Sequence, residues 1–270
     1  MLSPLHEWSL APREARVLQS QLAKRLELTD RLAPITHIAG VDIGFEEGGE
    51  ITRAAVVVLK WDPATAPDLS VVEQVVHREP TRVPYIPGLL SFREIPAALG
   101  AFEKLSVMPE LVMVDGQGIA HPRRLGVAAH LGLWLDLPTI GIAKSRLYGQ
   151  HAEVGEHRGD WVPLYAGQET IGAVLRSRTK VKPVYISPGH RITLETSLTW
   201  VLRCLGRTKL PEPTRGVISA SSLRLPRAKG YTNAKKRRSR LEASWQSVVF
   251  ASRVSGSSPW SRRAARWRSR

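Results

Sequence analysis

Three acidic residues of this chain stand where side chains often take part in chemistry. Asp42 follows residues 39–41 and Asp115 follows residues 111–114, so each aspartate ends an apolar segment typical of a buried strand. Glu94 lies between them in the sequence. A carboxylate at the end of a buried strand is costly to desolvate unless a cation compensates its charge, and a divalent metal compensates several converging carboxylates at once. The three acids therefore predict a divalent-metal site of the kind used for phosphodiester hydrolysis.

Each acid also has a purely structural interpretation. Asp42 could be a strand-end aspartate that hydrogen-bonds to a turn, and Asp115 precedes Gly116 in a common turn dipeptide. Glu94 stands three residues after Ser91, the spacing of a capping box in which the glutamate bonds back to the helix N-terminus. Taken alone, the turn explains Asp42 and the cap explains Glu94. Convergence of all three side chains would favour the metal site.

Polar residues follow two of the predicted strands. Gly116, Gly118 and His121 come after the strand that ends at Asp115, and ligands in α/β sheets bind beyond the carboxyl ends of strands. Lys144 ends the next apolar segment. Such a lysine is usually just solvated, yet beside a carboxylate cluster it can hold a phosphate as a point charge. A lone histidine is more often a surface or hydrogen-bonded residue than a ligand, so His121 is a secondary candidate.

Residues 84–88 form the most distinctive loop of the sequence. Pro84 and Pro87 fix the backbone φ angle and stiffen the segment that presents Tyr85 and Ile86. A rigid aromatic side chain beside a nuclease site can fill the gap left when a base leaves the stack. A hydrophobic plug that packs the loop onto the sheet is an equally good interpretation.

Hydrophobic periodicity predicts an α/β protein. Residues 13–28 place apolar side chains, among them Leu18, at the spacing of an amphipathic helix. Three strand-like segments with short connections, 35–45, 51–61 and 69–77, favour an antiparallel meander. Strand and helix then alternate in the βαβ pattern of a parallel sheet. The later predicted elements are a helix over 91–105, a strand over 111–115, a helix over 125–135, strands over 139–143, 170–175 and 184–187, and a helix over 193–205.

The positive charge of the chain is concentrated at its C-terminal end. The 270 residues include 39 Lys and Arg against 24 Asp and Glu, a formal net charge of +15. Residues 217–270 hold 14 of those bases and a single acid, so the preceding part of the chain is close to neutral. The C-terminal segment is rich in Ser and Arg and lacks a sustained apolar period. We therefore expect a folded domain over residues 1–215 and a basic, mostly disordered tail over residues 216–270.

The composition also bears on the cellular compartment. A single cysteine, Cys204, excludes an intramolecular disulfide framework, fits a reducing compartment and is expected in the core. No signal peptide is evident, and no stretch reaches the roughly 18 uninterrupted apolar residues of a membrane span. We therefore expect a cytoplasmic protein without a membrane partner.

Six motifs carry a likeness to a known family. They lie at residues 41–45, 84–88 with 91–94, 114–123, 141–144, 187–191 and 211–215. In order and spacing they closely resemble the endonuclease V family, the deoxyinosine 3′ endonucleases, over roughly residues 10–215. Each motif alone would be weak evidence. The resemblance implies an RNase H-like fold, with three antiparallel strands followed by parallel strands in one mixed sheet flanked by helices.

The resemblance also implies an activity. Enzymes of this family recognise hypoxanthine, the deamination product of adenine, in nucleic acid and hydrolyse the second phosphodiester bond on its 3′ side. The products carry a 3′-hydroxyl and a 5′-phosphate. By motif position, Asp42, Glu94 and Asp115 would bind Mg²⁺, with Mn²⁺ as a substitute, and Lys144 would contact the phosphate.

The same likeness implies how the base is bound. Tyr85 would be the wedge that separates the strands, and glycines would let the main chain approach the flipped base. The residues implied to form the substrate site are Tyr85, Ile86, Pro87, Gly88, Gly116, Gly118 and His121.

The chain departs from the family pattern at one position. The family usually has His or Asp three residues after the arginine of the 211–215 motif, where it helps to complete the metal site, and here that residue is Ile218. The alternative hypothesis is therefore a protein that binds inosine-containing nucleic acid but cleaves it poorly. Under either hypothesis we expect a monomer whose partner is DNA or RNA, since chemistry at the phosphate does not distinguish the two.

Overall fold

The computed structural model describes residues 5–221, without the side chains of residues 218–221. The strands are β1 (His37–Glu46), β2 (Ile51–Lys60), β3 (Ser70–Pro80), β4 (Leu111–Asp115), β5 (Thr139–Ala143), β6 (Trp161–Ala166), β7 (Glu169–Leu175) and β8 (Val184–His190). The α-helices are α1 (Pro12–Ala23), α2 (Leu90–Phe102), α3 (Val127–Leu135), α4 (Leu194–Arg203) and α5 (Glu212–Ser221).

All of these strands form one mixed sheet in the order β3-β2-β1-β4-β5-β8-β7-β6. β1, β2 and β3 are antiparallel neighbours, as their short connections predict. β4 and β5 lie parallel to β1, with α3 as the crossover between them. β8, β7 and β6 continue the sheet in antiparallel pairing, so the parallel part is limited to β1, β4 and β5. The predicted mixed α/β fold is confirmed.

Helices cover both faces of the sheet. On one face, Val57 and Leu59 of β2 pack against Val217 of α5, and the central strands pack against α4. On the other face, the hydroxyl of Thr139 on β5 donates a hydrogen bond to the carbonyl of Ala128 on α3 at 2.8 Å. Because both faces are covered, a strand at the centre of the sheet can be apolar along its length, and the five residues of β5 are all buried.

The N-terminal helix is shorter than its apolar pattern predicts, because α1 ends at Ala23 rather than at residue 28. Its buried side chains are Ala15, Gln19 and Leu22. Leu18, which the pattern places on the apolar face, is only partly buried. A polar residue, Gln19, therefore occupies the buried stripe of this helix.

β6 has no counterpart among the predicted strands, and it contains Pro163. β6 is the last strand of the sheet and pairs with β7 alone among the named strands. A residue without a backbone N–H is tolerated on such an edge, where one side of the strand needs no ladder hydrogen bonds. The proline therefore indicates an edge strand rather than a loop.

The domain boundary that we expected at residue 215 falls inside a helix. α5 extends to Ser221, so residues 216–221 belong to the fold and not to the basic tail. Pro213 lies in the first turn of α5, where a missing N–H costs no helical hydrogen bond. The proline-containing motif at residues 211–215 therefore opens a helix. From residue 222 onward, the predicted tail lies outside the described residues.

The structure describes two features that bear on earlier expectations, the burial of Cys204 and the length of the helices. Cys204 is a free thiol, fully buried in the cluster beneath α4, as predicted for a core residue. Within residues 5–221, none of the helices has the length and apolar character needed to cross a membrane.

The packing of α5 on β1 requires a glycine at position 40. A Cβ atom at Gly40 would lie 1.9 Å from the carbonyl oxygen of Pro213, a backbone atom that cannot rotate away. We expect Gly40→Ala to lower the free energy of unfolding by about 1–3 kcal/mol, the usual cost of overpacking a core. Urea unfolding of the two proteins measures this difference.

Gly216→Ala is the matched control within α5. A Cβ atom at Gly216 would meet only Val57, at 3.9 Å, and alanine is the better helix former. We expect stability to stay unchanged or to rise by up to about 1 kcal/mol. Equal losses in the two variants would contradict the packing of α5 on β1.

Candidate active site

Asp42 and Asp115 lie on adjacent parallel strands. β1 pairs with β4 so that Val41 stands opposite Val114, and the next residue of each strand is one of the two aspartates. Side chains alternate along a strand, so both aspartates point to the face that α4 and α5 cover. Their side chains are only 17 % and 13 % exposed. The predicted convergence is present for this pair.

Glu94 reaches the same end of the sheet from the first turns of α2. It is 7 % exposed. Burial, together with the negative charges of Asp42 and Asp115, raises the pKa of Glu94 to about 8. Two carboxylates can influence the ionisation of a third in this way only when they lie near it, so the three acids share one neighbourhood.

The capping box considered for Ser91 and Glu94 does not form in the described structure. α2 begins after Leu89, and no side chain caps it. The Ser91 hydroxyl instead forms a 3.0 Å hydrogen bond with the ring of His130, a buried residue of α3. The Glu94 carboxyl group is therefore directed to the acidic cluster rather than to the helix end.

Two cations of the chain flank the aspartates. Lys144, one residue beyond β5, forms an ion pair with Asp115, and a guanidinium nitrogen of Arg53 lies 3.8 Å from a carboxylate oxygen of Asp42. Burial raises the pKa of Asp115, while the hydrogen bond and charge of Lys144 act in the opposite direction. Within the described part of the chain, no three His, Cys, Asp or Glu side chains lie close enough as placed to hold a metal. The aspartates are paired with protein cations instead.

A cavity of about 390 Å³ opens beside this cluster, between α2, the loop after β4 and the segment after β5. The predicted site residues that line it are Tyr85, Gly88, Glu94, Asp115, Gly116, His121 and Lys144. The predicted residues that do not line it are Asp42, Ile86, Pro87 and Gly118. Residues that line it without having been predicted include Gln19, Ser91, Gln117, Arg146 and Leu147.

Two adjacent side chains of the loop over residues 84–88 differ in burial. Tyr85 is 65 % exposed at the edge of the cavity. Ile86 is partly buried and packs with Leu89 and Phe92 against α1. The hydrophobic plug is therefore Ile86, whereas the aromatic ring of Tyr85 is free of the core.

Hydrogen bonds to one carbonyl fix the end of this loop. Gly88 has a φ of +78°, a conformation that favours glycine. Its carbonyl oxygen accepts hydrogen bonds from the side-chain amide of Gln19 at 3.0 Å and from the guanidinium of Arg123 at 2.7 Å. Arg123 also donates to the side-chain oxygen of Gln19 at 2.6 Å. We call Gln19, Arg123 and the Gly88 carbonyl the loop clamp.

Sequence reasoning missed the part that Gln19 plays in the clamp. The available signal was a glutamine four residues after Ala15 and three before Leu22, at a position where a helix buries its apolar stripe. A buried polar side chain needs hydrogen-bond partners, so its presence indicates a specific contact. Its partners lie far away in the chain and could not be identified from the pattern.

His121 is a buried, neutral ring beside the clamp. Burial and the charge of Arg123 lower the pKa of His121 to about 4, although a hydrogen bond with the Gly88 carbonyl opposes the shift. Its Nδ1 atom accepts a hydrogen bond from the backbone N–H of Arg123 at 3.1 Å. At neutral pH, His121 therefore presents a neutral ring to the cavity and not a cation.

The two glycines after β4 differ in how closely neighbouring atoms approach them. A Cβ atom at Gly116 would make only an ordinary 3.5 Å contact with Val127, so the residue is not required for packing. A Cβ atom at Gly118 would lie 2.2 Å from the carbonyl oxygen of Pro188. The N–H of Gly118 also donates to the Ser187 hydroxyl at 2.8 Å. Gly118 packs against β8 and is not among the residues that line the cavity.

Ile218, where the chain departs from the family pattern, is carried by α5. It follows Val217, which packs against Val57 and Leu59 on the face of the sheet to which Asp42 points. The departure therefore lies on a helix over the acidic face of the sheet and not in the tail. The side chain of Ile218 is outside the described part of the structure.

Comparison with known proteins gives the same family over most of the chain. A family model described as Endonuclease V matches residues 20–217. The endonuclease V of Azotobacter vinelandii is 55 % identical over 213 residues, which cover 79 % of this chain and 94 % of that protein. The crystal structure of endonuclease V from Streptomyces avermitilis is 38 % identical and superposes with a TM-score of 0.72, covering 79 % of this chain and 92 % of that one.

A further structure of the family contains nucleic acid. Endonuclease V of Ciona intestinalis, in complex with a 24mer DNA containing an inosine followed by a ribo-adenosine, is 25 % identical to this chain. It superposes with a TM-score of 0.66 and covers 77 % of this chain and 95 % of that one. Because a family model matches most of the sequence and a relative at 55 % identity is covered almost completely, this chain belongs to the endonuclease V family.

Proposed function

We propose that this protein is a Mg²⁺-dependent repair endonuclease, in which Mn²⁺ can substitute, that recognises hypoxanthine in DNA. It hydrolyses the second phosphodiester bond 3′ to the lesion and leaves a 3′-hydroxyl and a 5′-phosphate. The observation that carries the proposal is the placement of Asp42 and Asp115 at the ends of adjacent parallel strands, with the buried Glu94 and with Lys144 at the cavity beside them. The complex of the Ciona intestinalis protein with inosine-containing DNA supports the same substrate.

The donor set fits a hard divalent cation. Asp42, Glu94 and Asp115 offer oxygen atoms only, the ligands that Mg²⁺ prefers in proteins. The buried carboxyl group of Glu94 holds its proton up to a pH of about 8 while no further cation is near. A bound metal would lower the pKa of a water molecule and stabilise negative charge on the phosphate. Without a cation, the carboxylates of the cluster are costly to desolvate.

Lys144 is the residue that we assign to the scissile phosphate. Its side chain is 49 % exposed and lines the cavity next to Asp115. A lysine ammonium is a compact charge on a flexible stem, so it can bind a phosphate oxygen without leaving this edge of the sheet. Arg53 is less suited to the role, because it also pairs with Glu46 at 3.4 Å and is only 19 % exposed.

The cavity is the binding site that we assign to the flipped base. Enzymes that act at a damaged base read its edge by hydrogen bonds after taking it out of the stack. The main chain at Gly88 and Gly116 and the neutral ring of His121 line the cavity, so a base can approach the backbone there without meeting the charge of a histidine. Tyr85, exposed and carried by a clamped loop, would fill the gap that the base leaves.

Removing one carboxylate should abolish most of the cleavage. Metal-ion catalysis supplies several kcal/mol of charge stabilisation, so we expect Asp42→Asn to lower the rate of nicking by about 1,000-fold. The assay is single-turnover nicking of an inosine-containing duplex in Mg²⁺, with the position and end groups of the product determined. Glu153→Gln, an exposed acid that does not line the cavity, is the matched control and should cleave like the unaltered protein.

Two outcomes would contradict the proposal. Equal nicking by Asp42→Asn and Glu153→Gln would exclude Asp42 from the reaction. Selective binding of the inosine duplex without any nicking by the unaltered chain would favour the alternative, in which Ile218 impairs cleavage. Ile218→His should then restore nicking with little change in affinity.

Glu94 should make stability depend on pH when no divalent metal is present. Its pKa of about 8 in the folded protein exceeds the ordinary value of 4.5, so the unfolded chain loses the proton first as pH rises. The contribution of Glu94 to stability is therefore fully present below pH 4.5 and is lost as pH rises through about 8. In a chelator, we expect the free energy of unfolding of Glu94→Gln to fall less over this interval than that of the unaltered protein.

Added Mg²⁺ provides the control for this measurement. It should restore stability at pH 8 to the unaltered protein and have less effect on Glu94→Gln, because the metal replaces the proton on Glu94. Urea unfolding at a series of pH values measures both effects. Parallel pH profiles for the two proteins would show that Glu94 ionises normally.

Tyr85 should contribute to recognition of the lesion. Stacking of an aromatic ring on a base is worth about 1–3 kcal/mol, so we expect Tyr85→Ala to weaken binding of an inosine duplex by roughly 5- to 150-fold. Binding is measured in the Asp42→Asn background, so that the duplex stays intact. Tyr165→Ala, which removes a tyrosine that is 41 % exposed on β6, is the matched control. Equal affinities for the two variants would exclude Tyr85 as the wedge.

A further inference from the structure

Lys144 has lysine neighbours at its end of the sheet. Lys182 lies just before β8, and β8 pairs antiparallel with β5 so that Tyr185 stands opposite Ala143. The end of β5, where Lys144 follows, and the start of β8, which Lys182 precedes, therefore meet at the same edge. Lys182 is exposed there.

Lys209 joins this edge from the connection between α4 and α5. The next residue, Leu210, is buried in the same core cluster as Val184 and Leu205, which holds the connection against the start of β8. Burial, followed by the charges of Lys182 and Lys144, lowers the pKa of Lys209. We call Lys144, Lys182 and Lys209 the lysine surface.

The charge of this surface is not balanced by nearby acids in the sequence. Residues 176–183 contain four basic residues and no acid, and residues 206–210 contain two basic residues and no acid. Among the described residues, neither Lys182 nor Lys209 takes part in an ion pair, unlike Lys144, which pairs with Asp115. Because the chain before residue 217 is nearly neutral in total, this excess is local and not a general property of the surface.

Like charges that the fold holds close together repel one another, and an anion between them offsets this repulsion. A row of phosphates is a suitable anion, because its charges are spaced along a strand and several lysines can be neutralised at once. We propose that Lys182 and Lys209 bind the phosphodiester backbone of the nucleic-acid strand that Lys144 holds at the scissile phosphate. This inference rests on the proposed function, since it assigns the backbone beyond the cleaved bond to a defined part of the protein.

The salt dependence of binding tests the lysine surface. Each phosphate neutralised by a lysine contributes about 0.9 to the slope of log affinity against log salt, so Lys182→Gln with Lys209→Gln should reduce the slope by about 1.8. Lys24→Gln with Lys60→Gln removes the same charge from two exposed lysines elsewhere and should leave the slope unchanged. The full chain is used throughout, so the tail contributes equally to every protein. Thermal unfolding verifies that the variants are folded.

Both an undamaged and an inosine-containing duplex are measured, so that two failures can be told apart. A slope equal to that of the control double variant would overturn the lysine surface, whether or not the unaltered protein nicks inosine DNA. A reduced slope on both duplexes, with no nicking by the unaltered protein, would support the surface and contradict the proposed function. If the double variant loses affinity for a polyglutamate peptide but not for either duplex, the partner is an acidic protein and the inference fails.

Discussion

The site is organised around three carboxyl groups that the fold brings to one end of a sheet. Parallel pairing of β1 with β4 places Asp42 beside Asp115, and α2 buries Glu94 next to both. Mutual repulsion and desolvation make this arrangement unfavourable unless positive charge or protons compensate it. In the fold, Lys144 pairs with Asp115 and Arg53 lies beside Asp42. Glu94 binds a proton below a pH of about 8. A divalent cation would compensate the same charges, and the proposed function rests on this exchange.

A second constraint is the rigidity of the loop beside the acids. Tyr85 is exposed, yet Ile86 anchors its loop on the core and the clamp of Gln19 and Arg123 holds the carbonyl of Gly88. A ring presented by a fixed backbone loses little conformational freedom when it stacks on a base. Helix α1, remote from the acids in sequence, thereby contributes to the site through one buried polar side chain. The conformational entropy of this loop is therefore lost when the protein folds.

The parts of this structure that could be predicted from the sequence are those determined locally. The apolar runs ending at Asp115 and at Ala143 gave the bounds of β4 and β5, because a strand covered on both faces is continuously apolar. β6, which contains Pro163, and α5, whose first turn contains Pro213, were not predicted, since proline is compatible with an edge strand or a first helical turn as well as with a loop. The partners of Gln19 and the close packing of Gly118 on β8 depend on contacts between distant segments. No periodicity in the sequence specifies such contacts.

A protein that recognises one base in nucleic acid needs positive charge for the phosphates and an uncharged surface for the base. Phosphate contacts position a protein on nucleic acid, and only contacts to the base discriminate. Extra positive charge inside the cavity would therefore strengthen binding to any strand and reduce selectivity. Burial and Arg123 keep His121 neutral at the pH of the cell, and the guanidinium of Arg123 is itself engaged by Gly88 and Gln19. Lys144, by contrast, is half-exposed at the cavity beside Asp115, so its positive charge is separate from the neutral ring of His121.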